Sequence, residues 1–311
     1  MSGCLVTGAS GFLGSRLVRE LAAAGDRVRA VSRTRIEGLT TAVGDLAMAP
    51  VDLKGVVEAA IYHLAGLAHV VPRTRAEAQR FSDVNLGGTR NLLTSLDRAA
   101  DPPKTFVFVS SVSVYGLDSG ELLDEDTPRL AIEPYGASKR AAEDLVRDWG
   151  KARGVRVAIA RLPLVVGREA PGNFGAMVGA LRRGWYYGVA DGGAKRSMVL
   201  VDDAAKGLRL LSEAGGVYHL TDGRHPTFAE LERSITFALG RRPPPRLSFP
   251  AARAAAKLGD LVERVTGRPV PFTHQTFSRM TSTLTFSDQR ARERIAWAPR
   301  AVIDAIPEIV A

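Results

Sequence analysis

Gly8, Gly11 and Gly14 separate a short apolar run, Cys4-Leu5-Val6-Thr7, from a stretch of helical periodicity. That stretch spans Phe12 to Ala24, with Leu13, Leu17, Val18 and Leu21 on one side and a stop near Gly25. A strand, a glycine turn and a helix in this order leave few architectures open. The glycines allow a tight turn, close approach of a ligand to the backbone, and close packing of the helix. The first N–H groups and the positive end of the helix dipole suit a pyrophosphate. Gly8, Ser10, Gly11, Phe12, Leu13 and Gly14 are therefore the candidate dinucleotide contacts.

The same alternation continues downstream. Arg27 to Ser32, Ala59 to Leu64, Thr105 to Ser110 and Val155 to Arg161 read as strands, while Leu86 to Ala99 and Tyr135 to Lys151 read as helices. Such alternation predicts a parallel sheet with helices on both faces. After about Val166 the rhythm loosens. Gly172 to Gly193, rich in glycine and aromatic residues, is expected to form loops. Thr227-Phe228-Ala229-Glu230 is a capping box that starts a helix to about Leu239. Arg241 to Pro250 predicts an extended connection, and Ala251 to Val265 a further helix. The expected division is a dinucleotide domain over 1–166 and a smaller substrate lobe over 167–311, from which some segments return to the first.

A ribose-binding acid is expected about twenty residues past the glycines. Ser32 stands there, followed by Arg33. An arginine at that strand end neutralises a 2′-phosphate, which favours NADP(H), with NAD(H) the alternative. Asp45-Leu46 either flanks the adenine or forms a polar turn.

Tyr135 and Lys139 lie four residues apart, so a helix places phenol and ammonium on one face. A nearby cation lowers a tyrosine pKa and makes the phenol a usable general acid or base. The spacing alone is common; its weight comes from the glycine turn upstream and from Ser111 at the end of a predicted strand.

Composition bounds the rest. The 311 residues include one cysteine, Cys4, so no internal disulfide is possible, as suits a cytoplasmic protein. The net charge of +9 fits a basic surface or an anionic substrate. The basic residues are scattered rather than clustered with stacking aromatics, which argues against a nucleic-acid partner. No apolar run is long enough for a membrane span. The histidines form no cluster at metal-ligand spacing, so no metal is expected; His63 and His219 read as packed core residues.

In order along nearly the whole chain, these segments resemble an extended short-chain dehydrogenase/reductase of the NAD-dependent epimerase/dehydratase family. The glycine turn is similar to its Gly-x-x-Gly-x-x-Gly. His63-Leu64-Ala65-Gly66, Asn85-Leu86-Gly87-Gly88-Thr89, Ser110-Ser111-Val112-Ser113-Val114-Tyr115-Gly116 and Arg161-Leu162-Pro163-Leu164-Val165-Val166-Gly167 resemble later family elements, the last with Val166 where tyrosine is usual. The resemblance implies a Rossmann fold, a doubly wound α/β parallel sheet with a smaller C-terminal substrate lobe. It implies cofactor contacts at Leu64, Ala65, Gly66 and Asn85. It also implies that Ser111 hydrogen-bonds the reacting oxygen, Tyr135 is the acid/base, and Lys139 binds the nicotinamide ribose.

Arg196-Ser197-Met198-Val199-Leu200-Val201-Asp202-Asp203 and Gly172-Asn173-Phe174 resemble segments of nucleotide-sugar members that contact the diphosphate and nucleotide. Arg196 and Asn173 are thus candidate substrate contacts, with Arg279 as a further one. The expected activity is that of an NADPH-dependent 4-ketoreductase on a nucleotide-diphospho-sugar. A 4-epimerase that keeps its cofactor, a reductase of a non-sugar ketone, and a dinucleotide-sensing module are the alternatives. Val112 and Ser113 replace the acids of similar dehydratases. Similar proteins pair as homodimers through the helices that correspond to Leu86–Ala99 and Tyr135–Lys151.

Overall fold

The computed structural model describes residues 3–54, 58–99, 101–268 and 270–310. Strand β1 (Gly3–Thr7) is buried along its whole length and leads through the glycine turn into helix α1 (Phe12–Ala23), which buries Gly14, Leu17 and Leu21. Strands β2 (Arg27–Ser32), β3 (Thr40–Val43) and β4 (Ala60–His63) follow. Helix α2 (Arg75–Phe81) is capped by Thr74 and runs through a π-helical turn over Ser82–Gly87 into α3 (Gly88–Asp97). Next come β5 (Thr105–Ser111), a 3-10 turn over Val112–Tyr115, β6 (Gly120–Leu123) and α4 (Pro134–Arg153). The residue closing α4, Gly154, has φ +66°, a conformation that a side chain would strain. Strands β7 (Arg156–Leu162) and β8 (Leu164–Val166) complete the first half.

The second half holds α5 (Gly172–Arg183), β9 (Gly188–Val189), β10 (Met198–Leu200), α6 (Val201–Ala214) and β11 (Gly216–His219). Helix α7 (Phe228–Ala238) starts at the predicted capping box, with both reciprocal hydrogen bonds present. Then follow β12 (Arg246–Leu247), α8 (Phe249–Thr266), α9 (His274–Thr281), β13 (Leu284–Phe286), α10 (Gln289–Ile295) and α11 (Val302–Val310).

The segment expected to be loops from Gly172 is in its first half a helix. Its glycines mask a period that buries Phe174, Met177 and Leu181 on one face. Packing of that stripe outweighs the low helix propensity of glycine. The helix over Leu86–Ala99 likewise begins far earlier, at Arg75, because a π turn carries the chain around without breaking it.

Among the described residues, seven strands form one parallel sheet in the order β11-β7-β5-β4-β1-β2-β3. Its last strand, β11, comes from residues well after Val166 and pairs with β7, Gly216 opposite Ala158. Helices α1 and α6 cover one face, with Leu17, Leu21, Leu208 and Leu211 in its core. Helices α3 and α4 cover the other, with Leu92, Leu96, Val146 and Trp149. This is the doubly wound Rossmann arrangement. A separate core lies among α5, α7 and α11. The order reverses between β1 and β4, and ligands of open α/β sheets bind at the carboxyl ends of strands beside such a reversal. Thr7 and His63 stand opposite one another at that point.

Candidate active site

The two turns leaving β1 and β4 touch. A Cβ placed on Gly8 would sit 2.8 Å from the Ala65 backbone N, and one on Gly14 only 2.0 Å from the Gly8 carbonyl oxygen. Gly8 also has φ +71°. The glycines thus let the first turn close against both its own helix and the Leu64-Ala65-Gly66 turn. No side chain caps the N-terminus of α1, and Ser10 and Gly11 are exposed. The first-turn N–H groups therefore have no capping side chain, which fits a pyrophosphate.

A buried chain of hydrogen bonds holds this crevice. Thr89 Oγ1 donates to the Asn85 carbonyl at 2.6 Å, so it accepts from His63 Nε2 at 2.9 Å. His63 Nδ1 then accepts from Thr7 Oγ1 at 2.6 Å, and Thr7 Oγ1 accepts from the Ala65 N–H at 3.1 Å. This order requires a neutral imidazole, in keeping with burial pushing the His63 pKa down to about 3. The Asn85 amide, in the π turn, accepts from Leu67 N–H at 2.7 Å and donates to Ser138 Oγ at 2.9 Å. Asn85 therefore ties the β4 turn to α4. Sequence reading has no signal for the π turn or for Ser138, because both depend on contacts between distant segments.

Ser111 ends β5, and Tyr135 and Lys139 lie one turn apart on α4. The approach of the two elements depends on Gly136, whose Cβ would fall 2.4 Å from the Ser113 carbonyl oxygen. The structure thereby brings Ser111 and Tyr135 together. Burial pushes the Tyr135 phenol up from its ordinary value, and its hydrogen bond with Ser111 works against that rise. Ser111 Oγ also accepts from the Ser113 N–H at 3.1 Å, so the same hydroxyl caps the 3-10 turn. The Phe81 ring meets the Tyr135 ring edge-on at 5.9 Å.

Lys139 is 5% exposed, and its Nζ donates to the Val109 carbonyl at 2.9 Å and lies 5.0 Å from the centre of the Phe108 ring. Burial lowers its pKa to about 8. The ammonium is thus turned to the sheet, and it is burial that dominates the tyrosine's acidity rather than the expected lowering by Lys139. A Cβ on Gly66 would stand 3.2 Å from Lys139 Nζ and 2.9 Å from Asn85 Oδ1. The absence of that carbon leaves a cradle beside the ammonium, where the hydroxyls of a nicotinamide ribose would fit.

Below Ser111 the end of β5 is anchored. Ser110 Oγ donates to Glu143 at 2.6 Å, and Arg161 grips the same carboxylate through two nitrogens at 3.0 and 2.8 Å. Arg161 also donates to the Tyr115 hydroxyl and the Glu125 carbonyl, each at 2.8 Å. Each charge in this buried pair has a partner, as burial demands.

At the end of β2, Ser32 is half-buried and its carbonyl accepts from Gly44 N–H at 3.0 Å, while Arg33 is exposed. Asp45 closes a polar turn by accepting from Ala47 N–H at 2.9 Å, and Leu46 packs into the core with its carbonyl held by Asn91 at 2.7 Å.

Two of the three candidate substrate residues meet. Asn173 is exposed in the first turn of α5, beside which His69 covers Gly172. Arg196 is half-buried, donates to the Arg279 carbonyl at 2.5 Å, and bridges to Leu284 of β13. Burial, and then the charge of Arg279, lower its pKa to about 10. Arg196 and Arg279 thus form a self-repelling cationic pair that an anion would relieve. Among the described residues no group of three or more His, Cys, Asp and Glu could hold a metal ion.

The sequence model of the NAD dependent epimerase/dehydratase family matches residues 4–220. The chain is 31% identical over 334 aligned positions to UDP-glucose 4-epimerase of Azospirillum brasilense, covering 95% of this chain and 87% of that protein. It is 32% identical over 241 positions to GDP-6-deoxy-D-mannose reductase of Pseudomonas aeruginosa, covering 73% and 76%. Its fold is similar to MoeE5 in complex with UDP-glucose and NAD, with a TM-score of 0.75, 25% identity, and coverage of 99% and 97%. The family's motif order, the doubly wound sheet and these matches agree, and the chain belongs to the NAD-dependent epimerase/dehydratase family of short-chain dehydrogenase/reductase enzymes.

Proposed function

We propose that this enzyme is an NADPH-dependent 4-ketoreductase acting on a nucleotide-diphospho-sugar. The observation that carries the reading is the end of β2, where a half-buried Ser32 and an exposed Arg33 stand in place of an acid. An acid there would repel a 2′-phosphate, whereas a guanidinium can bind its oxygens. The likeness to a GDP-6-deoxy-D-mannose reductase supports the same reading.

Gly8, Ser10, Gly11, Phe12, Leu13 and Gly14 would hold the pyrophosphate, and Leu64, Ala65, Gly66, Asn85 and Lys139 the nicotinamide half. When bound, the nicotinamide supplies the hydride. Ser111 would hydrogen-bond the C4 oxygen, and Tyr135 would pass its proton to that oxygen as negative charge develops there. A phenol with a raised pKa is protonated at neutral pH, which suits it to donate. Residues 1–166 would mainly bind the dinucleotide and 167–311 the sugar nucleotide, with the diphosphate near Arg196 and Arg279. Ser111, Tyr135 and Lys139 are all present, which argues against a sensing module without turnover.

A 4-epimerase with retained cofactor is the second reading, favoured by the likeness to UDP-glucose 4-epimerase. The deciding experiment is to purify the protein without added ligand, denature it, and identify any released dinucleotide. Nucleotide-linked 4-keto-6-deoxyhexose is then supplied with NADPH or NADH. The proposal expects little retained cofactor and faster oxidation of NADPH. Stoichiometric NAD together with C4 interconversion in the absence of added cofactor would overturn it. Tyr135→Phe should lower kcat by about 100-fold or more while leaving the Kd for the dinucleotide unchanged.

A further inference from the structure

Helix α8 is amphipathic in the inverse sense for a surface helix. Its small residues Ala252, Ala256 and Gly259 face the protein, pressed so closely that a Cβ on Gly259 would lie 2.0 Å from the Phe272 carbonyl oxygen. Its large apolar residues face outward: Leu258 is 61% exposed, Leu261 54%, Val262 41% and Val265 76%. These four sit at i, i+3, i+4 and i+7, which on a helix forms one continuous stripe. At 100° per residue, Arg253, Lys257 and Arg264 fall together along one edge of that stripe, and all three are exposed. The helix's two acids are drawn toward the protein: Asp260 and Glu263 are half-buried, and Asp260 accepts from His274 N–H at 3.0 Å. Arg268 is exposed just beyond the helix.

The same lobe exposes further amphipathic aromatics. Trp185 and Tyr187 flank Tyr186, which packs against the small core beneath α8, and they are 79% and 53% exposed. An apolar face edged by cations, with tryptophan and tyrosine nearby, is the surface that an interfacial helix presents to anionic lipid. The net charge of +9 acts in the same direction. No helix among the described residues is long and apolar enough to cross a membrane, so the contact would be peripheral.

We propose that the outer face of α8 docks this enzyme on an anionic phospholipid surface, with Leu258, Leu261, Val262 and Val265 entering the interface and Arg253, Lys257 and Arg264 contacting headgroups.

The test uses the full chain and sedimentation with vesicles of phosphatidylcholine containing a third phosphatidylglycerol. Wild-type protein is expected to partition onto these vesicles, to partition at least tenfold less onto pure phosphatidylcholine, and to be released by high salt. Leu258→Gln with Leu261→Gln, and separately Lys257→Glu with Arg264→Glu, should each reduce partitioning at least tenfold. Both variants should keep the wild-type melting temperature and dinucleotide Kd, which shows that they fold. Absence of binding to the anionic vesicles, or binding that survives both variants, would overturn the proposal. So would light scattering in which the Leu258→Gln, Leu261→Gln variant turns a wild-type dimer into a monomer, since the stripe would then be covered by a second copy.

Discussion

Lys139 keeps a charge where the surroundings oppose one. The side chain is almost wholly buried, one carbonyl accepts from it, and a ring face lies beside it. Its pKa of about 8 lies below its ordinary value of 10.5. The charged form is therefore penalised in the folded state at every pH below about 8. Between about 8 and 10.5 the folded protein releases this proton while the unfolded chain still holds it, so stability is gained as pH rises. Lys139→Met removes the penalty. At pH 7 the variant should be more stable than the wild type by urea unfolding, and its advantage should shrink as the pH is raised toward 10. A variant that is less stable at pH 7, or an advantage that does not change with pH, would show that the ammonium supports the fold. The Tyr135–Lys139 spacing was visible in the sequence because it needs only one helix. The Val109 acceptor was not, because it lies 30 residues away and its position depends on the sheet register.

At the scale of elements, two histidines join strands to their neighbours and do so only when neutral. His63 links β1, β4 and α3, as the hydrogen-bond order through Thr7 and Thr89 requires. His219 does the same on β11: its Nδ1 meets the Ser287 carbonyl at 3.0 Å, so its Nε2 accepts from the Tyr115 hydroxyl at 2.6 Å. Burial pushes each pKa down from 6.5 to about 3. Above pH 6.5 both states are neutral and the contribution is complete. As the pH falls from 6.5 toward 3, the unfolded chain takes up protons that the folded one refuses, and stability is lost. Each histidine should contribute about 1.4 kcal/mol per pH unit to the slope within that window. Replacing either with glutamine should lower stability at pH 7.5 and flatten the loss of stability between pH 6 and 4. An unchanged slope would mean that these histidines are protonated in the folded protein. Both were readable as core residues from their apolar runs, but their partners were not. Helix α5 shows the converse limit. Its buried stripe of Phe174, Met177 and Leu181 is regular, yet its glycines conceal it from any reading that weighs propensity above period.

Over the whole molecule, the chain's closing segment fastens the two halves together. Strand β13 pairs with β6 beyond the end of β5, and its first residue also bridges to Arg196. Trp297 is 4% exposed, donates from Nε1 to the Thr221 carbonyl at 2.8 Å, and lies so close to α6 that a Cβ on Gly207 would meet its ring at 2.7 Å. Asp222 accepts from Val302 N–H at 2.9 Å, which holds the start of α11. That the first half forms a parallel sheet with helices on both faces followed from the alternation of strands and helices, although β3 was not visible in it. Which segments of the second half return to it did not, since only long-range packing selects β11 and the closing segment. This interlacing predicts that the protein unfolds as one unit although it carries separate hydrophobic cores. Calorimetry should show a single transition whose calorimetric and van't Hoff enthalpies agree. Trp297→Ala should lower the stability of that one transition by about 3–5 kcal/mol, the cost of an unfilled aromatic site. It should do so without splitting the transition, because the ring lies in a core that holds residues of both halves. If the substitution instead produced a low-temperature transition while leaving an upper one at the wild-type temperature, the C-terminal segments would be a separately folding layer and the proposed coupling would fail.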